Sequence, residues 1–113
     1  MSLTPPSARR RTRVHLSQAY TLLGRTADAY REQQSALALT TSASVMTRAL
    51  LALDEAACRR IEGDHDAAAD PAARVWTDLP VLHRSGLVRS RATDLQLALA
   101  GRAADHLAQA LAA

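Results

Sequence analysis

Residues 14–39 read VHLSQAYTLLGRTADAYREQQSALAL, and this stretch decides the fold. Val14, Leu16, Ala19, Tyr20 and Leu23 recur at the three-to-four spacing of one helix face. Gly24 supplies a left-handed position that ends such a helix. Thr26 follows as a candidate cap, because a hydroxyl accepts from the free N–H groups of a first turn. Ala29, Ala36, Leu37 and Leu39 then give a second helix its inner side. The stretch therefore predicts an α-hairpin.

The hairpin recurs along the chain. After a polar break at Thr40–Ser44, where Ser42 or Ser44 can cap, a third helix carries Val45, Ala49, Leu50, Leu53, Ala56, Ala57 and Ile61 up to Gly63. Asp64 is the natural cap of a fourth helix. Pro71 removes a hydrogen bond within it, so either the helix kinks there, the favoured reading, or Asp70-Pro71 opens a new helix as cap and first residue; Pro80 follows the end at Asp78. A fifth helix is expected over Leu82–Leu99, with Leu87, Val88, Ala92, Leu95 and Leu99 on one side. Gly101 breaks it, and a short sixth carries Ala103, Leu107, Ala110 and Leu111. Gly24, Gly63 and Gly101 stand 39 and 38 residues apart. A helix–turn–helix unit repeated at a fixed period marks a helical solenoid, and three pairs suffice to bury a continuous core. The expectation is an all-α domain of about three antiparallel helix pairs over residues 9–113, behind a disordered leader, residues 1–8, that holds Pro5 and Pro6.

Composition agrees. The chain has 113 residues, no Phe, no Lys and a single Ile, while Ala and Leu dominate. Helix formers are thus abundant and strand formers scarce. All 14 basic residues are Arg, and with the Ala and Asp excess they have the look of a high-GC bacterial coding bias. Arg9, Arg10, Arg11 and Arg13 form one run; without them 10 arginines face 11 acids, so the body is nearly neutral. A nucleic-acid binder usually carries a basic stripe through its folded body. Cys58 is alone, which excludes an intramolecular disulfide. No apolar run approaches the roughly 20 residues that span a bilayer, and no signal-peptide pattern is visible. These features make a reducing cytoplasm the default expectation, with no membrane partner.

No catalytic constellation is visible. His15, His65, His83 and His106 lie one per segment, without the i, i+4 spacing of a helical metal site. His65 with Asp64 and Asp66 reads as a solvated helix start, where acids suit the dipole. Cys58 sits mid-helix with no His or Asp placed to activate it, so a small packed residue is the simpler reading. Phosphate loops, serine elbows and paired carboxylates are absent. No enzyme, cofactor or metal is expected.

The first hairpin resembles a tetratricopeptide repeat. That family places an apolar residue and an aromatic eight and four positions before its turn glycine, here Leu16 and Tyr20. It places small residues five and twelve positions after it, here Ala29 and Ala36. An aromatic between them is Gln33 here, which implies looser packing. In the second pair Gly63, Ala68 and Pro80 match, but Glu55 and Arg59 replace the apolar and aromatic residues; the third keeps only Gly101. The resemblance implies a concave groove lined by the first helix of each pair. Register from the turn glycines assigns to it Arg11, Val14, Gln18, Thr21 and Leu22, then Leu50, Leu53, Asp54, Ala57 and Arg60, then Val88, Arg91 and Leu95. Arg11, Arg60 and Arg91 there can meet an acidic or C-terminal carboxylate, because guanidinium forks suit carboxylates; the plainer alternative is that they solvate exposed faces. Trp76 is expected to pack between repeats.

Leu23–Thr26, Gln34–Leu39, Leu79-Pro80 and His83-Arg84 are also similar to the C-terminal domains of high-GC bacterial Xre-type helix-turn-helix transcriptional regulators. That implies an interaction or sensor domain with a protein or peptide partner, or a second copy of itself meeting along Leu107 and Leu111. DNA would be reached only through a helix-turn-helix domain ahead of this chain. The alternative is a nucleic-acid-binding module that uses the Arg9–Arg13 run. The first hairpin suits it poorly as a DNA reader, since Tyr20 is large where the helices must cross and Asp28 would face phosphate.

Overall fold

A computed structural model describes residues 6–39 and 44–113 of the chain. Six helices follow in order: α1 (Pro6–Leu22), α2 (Thr26–Ala38), α3 (Val45–Ile61), α4 (His65–Asp78), α5 (Gly86–Ala98) and α6 (Gly101–Ala112). A single 3-10 turn, Val81–His83, lies between α4 and α5, and the described residues contain no strand. The protein is all-α. The first helix starts at Pro6, earlier than the expected leader allows; proline suits a first helical position because its missing N–H would be unpaired there anyway. Residues 1–5 of that leader, and Ser42 as a cap, lie outside the described residues.

The two expected turns at Gly24 and Gly63 share one geometry. Gly24 has φ +74° and Gly63 φ +90°, a region that L side chains avoid. The N–H of Gly24 donates to the carbonyl of Thr21 and that of Arg25 to Tyr20. Gly63 and Asp64 repeat the pattern onto Arg60 and Arg59. Both are Schellman endings, which satisfy the last carbonyls and reverse the chain. At the first, the Arg25 guanidinium lies 5.0 Å from the Tyr20 ring centre, where an apolar contact commonly sits.

Caps follow chemistry with one correction. Ser44 accepts from the Thr47 N–H and Asp64 from the Ala67 N–H, each at 3.0 Å. Thr26 is not a cap: it lies inside α2, whose start is Arg25 with no side-chain cap. Asp28 in the first turn serves the free N–H end instead, held between Arg25 (2.6 Å) and Arg31. Those two guanidinium groups hold its carboxyl below the usual range against the opposing effect of desolvation.

α4 runs as one helix with Pro71 in its interior. Pro80 sets its end by forcing Leu79 into extended backbone. Arg84 then staples the exit, donating from Nε to the Trp76 and Leu79 carbonyls and from Nη2 to that of Thr77. With the chain pinned there, α5 starts at Gly86 rather than near Leu82. Gly101 also differs from expectation. It opens α6 instead of closing α5, because Leu99 and Ala100 are extended between the two helices. α1 with α2 and α3 with α4 pack closely as pairs, but α6 packs mainly on α4 and only lightly on α5.

Small residues make the core. Ala68, Ala72 and Ala92 are wholly buried, and Ala49, Ala56, Ala69, Ala73 and Ala103 nearly so. Around them pack Leu50, Leu53, Trp76, Leu79, Val88, Leu95, Leu99 and Leu107. This cluster is drawn from α3 to α6. The first pair joins the rest differently, as α1 buries polar residues, Ser17 and Thr21. Val14, Leu16 and Tyr20 of its expected inner face are half-buried, while Ala19 and Leu23 are exposed. The helix is turned by about one position, toward polar groups on α3 that need partners. Leu37 is likewise exposed, whereas Ala29 and Ala36 are buried as expected.

Candidate binding groove

α3 packs against both α1 and α5, so the first helix of the second pair lies between the other two. Between them runs a groove of about 450 Å³. α1 contributes Gln18, Thr21 and Leu22, and the turn after it Leu23; α3 contributes Leu53, Asp54, Ala57, Arg60 and Ile61; α5 contributes Arg91, Asp94, Leu95 and Ala98. Each set of helical residues follows the three-to-four spacing of a single helix face. The volume is in the range of ordinary ligand sites, and the wall is mostly aliphatic.

Nine of the thirteen groove residues assigned from sequence come together here: Gln18, Thr21, Leu22, Leu53, Asp54, Ala57, Arg60, Arg91 and Leu95. Arg11 and Val14 do not. The groove occupies the C-terminal halves of its three helices, and those two residues lie in the N-terminal half of α1, Arg11 exposed and Val14 half-buried. Leu50 and Val88, assigned to the same surface, are core residues instead.

A polar chain underlies the groove. Ser17 Oγ donates to Asp54 Oδ2 at 2.8 Å, and Arg91 Nη1 donates to Asp54 Oδ1 at 3.1 Å. One turn along, the Thr21 hydroxyl donates to the Ser17 carbonyl and lies 3.4 Å from the Cys58 thiol. Asp54 is only 4% exposed, which is unusual for a carboxylate and requires partners on both oxygens. Burial pushes its pKa up, against the opposing pull of Arg91 and Ser17. Burial also raises the Cys58 thiol, so it is kept as a neutral thiol rather than an activated thiolate.

The guanidinium groups differ. Arg91 pairs with Asp54, but its Nε is buried without a partner. Arg60 Nε is also buried and unpartnered, and Arg60 forms no ion pair among the described residues. A half-buried cation with open donors favours an anion that enters the groove.

Sequence reasoning missed Ser17, whose signal was there. Ser17, Asp54 and Arg91 stand 37 residues apart in turn, as do Thr21 and Cys58. That spacing lies close to the 39 and 38 residues between the turn glycines, so nearly equivalent places on successive first helices meet.

Other candidates lie elsewhere. Leu107 is fully buried in the chain's own core and so is not free as a seam between copies, while Leu111 packs half-buried against that core. Trp76 is buried at 2%, with Arg89 4.9 Å from its ring centre. Arg13 of the basic run is occupied: its Nη1 donates to both carboxylate oxygens of Glu32, at 3.1 and 2.9 Å. His65 Nδ1 accepts from the Ala100 N–H, and His106 faces Asp70 at 3.4 Å. Among the described residues no three His, Cys, Asp or Glu gather as metal ligands, and no helix is long and apolar enough to cross a membrane. Comparison with protein-family models, with curated proteins and with solved structures gave no match.

Proposed function

We propose that this chain is a non-catalytic, tetratricopeptide-like interaction or sensor domain of a bacterial transcriptional regulator, and that it binds a partner segment in the groove between α1, α3 and α5. The supporting observation is that equivalent faces of three successive first helices converge on one aliphatic groove whose Arg60 forms no ion pair among the described residues and has a buried, unpartnered Nε. Recognition combines burial of the partner's apolar side chains against Leu22, Leu53 and Leu95 with a charge-assisted bond to Arg60.

A peptide library displayed with free and with amidated C-termini tests the reading. Binders should shift backbone amide signals of residues 18–24, 53–61 and 91–98 together. Arg60→Ala should weaken them by about tenfold, the usual scale for one charge-assisted contact. Binders that map to the outer faces of α2 and α6 instead would refute the groove. The regulator part has its own check: the coding sequence ahead of Ser7 should specify a helix-turn-helix domain.

A further inference from the structure

Arg91 has two roles in the fold. Its Nη1 sits on Asp54, while the same side chain lines the groove with its Nε unpartnered. Asp54 accepts from Ser17 of α1 as well, so one buried carboxylate joins the first helices of all three pairs. α5 has few other ties: it packs mainly on α3, lightly on α6 and least on α4. Val88, Ala92 and Leu95 are its buried apolar residues, and the Arg91–Asp54 pair ties it to α3.

An anion in the groove competes with Asp54 for Arg91, and Arg60, which lines the groove and forms no ion pair among the described residues, adds a second guanidinium to draw it in. The neighbouring wall is aliphatic, formed by Leu22, Leu53, Ala57 and Leu95. Resting on the groove reading above, we propose that the ligand group is an aliphatic carboxylate and that it operates a latch. Its carboxylate takes Arg91 from Asp54, and α5 loosens from α3. The groups arrayed around Asp54 explain how the fold tolerates this exchange. α5 offers Arg91 and Asp94, α3 offers Cys58 and Arg60, and α1 offers only the hydroxyls of Ser17 and Thr21 and the Gln18 amide. When Arg91 leaves, Asp54 takes a proton from solvent and keeps its hydrogen bond with Ser17, so no bare charge is stranded.

The carboxylate can belong to a free acid or to a chain end, and hexanoate and an amidated or free Leu-terminated tripeptide serve as probes. Near neutral pH, titration into the wild-type protein is followed by amide signals and by hydrogen exchange. Hexanoate is expected to shift residues 53–61 and to speed exchange of the α5 amides by about tenfold, as for loss of one anchoring contact. α2 and α4 amides should be unaffected. Asp54→Asn should produce the same fast α5 exchange with no ligand present, and Ser17→Ala should not. Arg60→Ala should weaken hexanoate while leaving the resting α5 protected. Stronger response to the free-ended tripeptide than to hexanoate assigns a peptide chain end; the reverse assigns a free acid; both support the carboxylate. Hexanoate that binds the groove with α5 exchange unchanged overturns the latch and leaves the groove reading intact. Groove binding by the amidated tripeptide alone overturns the carboxylate, and absence of binding by every probe overturns both.

Discussion

Ser17 on α1 donates a 2.8 Å hydrogen bond to Asp54 on α3, 37 residues further along the chain. The partnership joins the first two helix pairs at a buried carboxylate. Ser17→Ala removes one of its two donors and leaves an oxygen unsatisfied, which costs about 1–3 kcal/mol. Urea denaturation is expected to show a lower midpoint with an unchanged slope, since the surface exposed on unfolding is the same.

Asp54 also sets a pH dependence. Its folded pKa lies above the ordinary 3.8 because of burial. The folded state then holds this proton more tightly than the unfolded chain does. The stability that protonation contributes is complete below 3.8 and is lost as pH rises through the folded value. Wild-type protein should therefore gain stability relative to Asp54→Asn as pH is lowered from 7 toward 4.5. Paired denaturation curves at the two pH values measure this, and a wild type that loses stability relative to the variant on acidification contradicts it.

Leu107 distinguishes core from interface. It is wholly buried within the monomer. Leu107→Ala should cost about 2–5 kcal/mol by cavity formation. The loss should be independent of protein concentration, because it arises within one chain. Thermal melts across a hundredfold dilution series check both points.

Gly24 tests the turn. An added Cβ would meet nothing within 4 Å, so any cost of substitution is purely conformational. Gly24→Ala at φ +74° should cost about 1–2 kcal/mol. Gly24→Asn should cost less, because asparagine visits this region more readily. Equal losses from both would point to a clash that the geometry does not contain.

Helices and their two tight turns were legible because alanine, leucine and glycine act locally: Gly24 and Gly63 close their helices where spacing placed them. The rotation of α1 was not, because apolar periodicity assumes that oil faces inward. Here Asp54 and Cys58 on another helix make Ser17 and Thr21 the inner residues, a tertiary effect. The third pair was misread for a similar reason. Gly101 carries the expected left-handed backbone (φ +59°), but two extended residues precede it, so α6 swings onto α4. Groove residues near the turn glycines came out well because register is counted from the glycine. Arg11, Leu50 and Val88, each 13 residues before its glycine, fell outside, as did Val14.

The apolar cluster that begins at α3 leaves the first two helices moored largely by hydroxyls, a thiol and a few alanines. Such a mooring is cheap to cast off, since water can replace each polar contact in kind. Melting should therefore begin at the amino-terminal hairpin, which peels away as a flap while the remaining four helices hold together around Trp76.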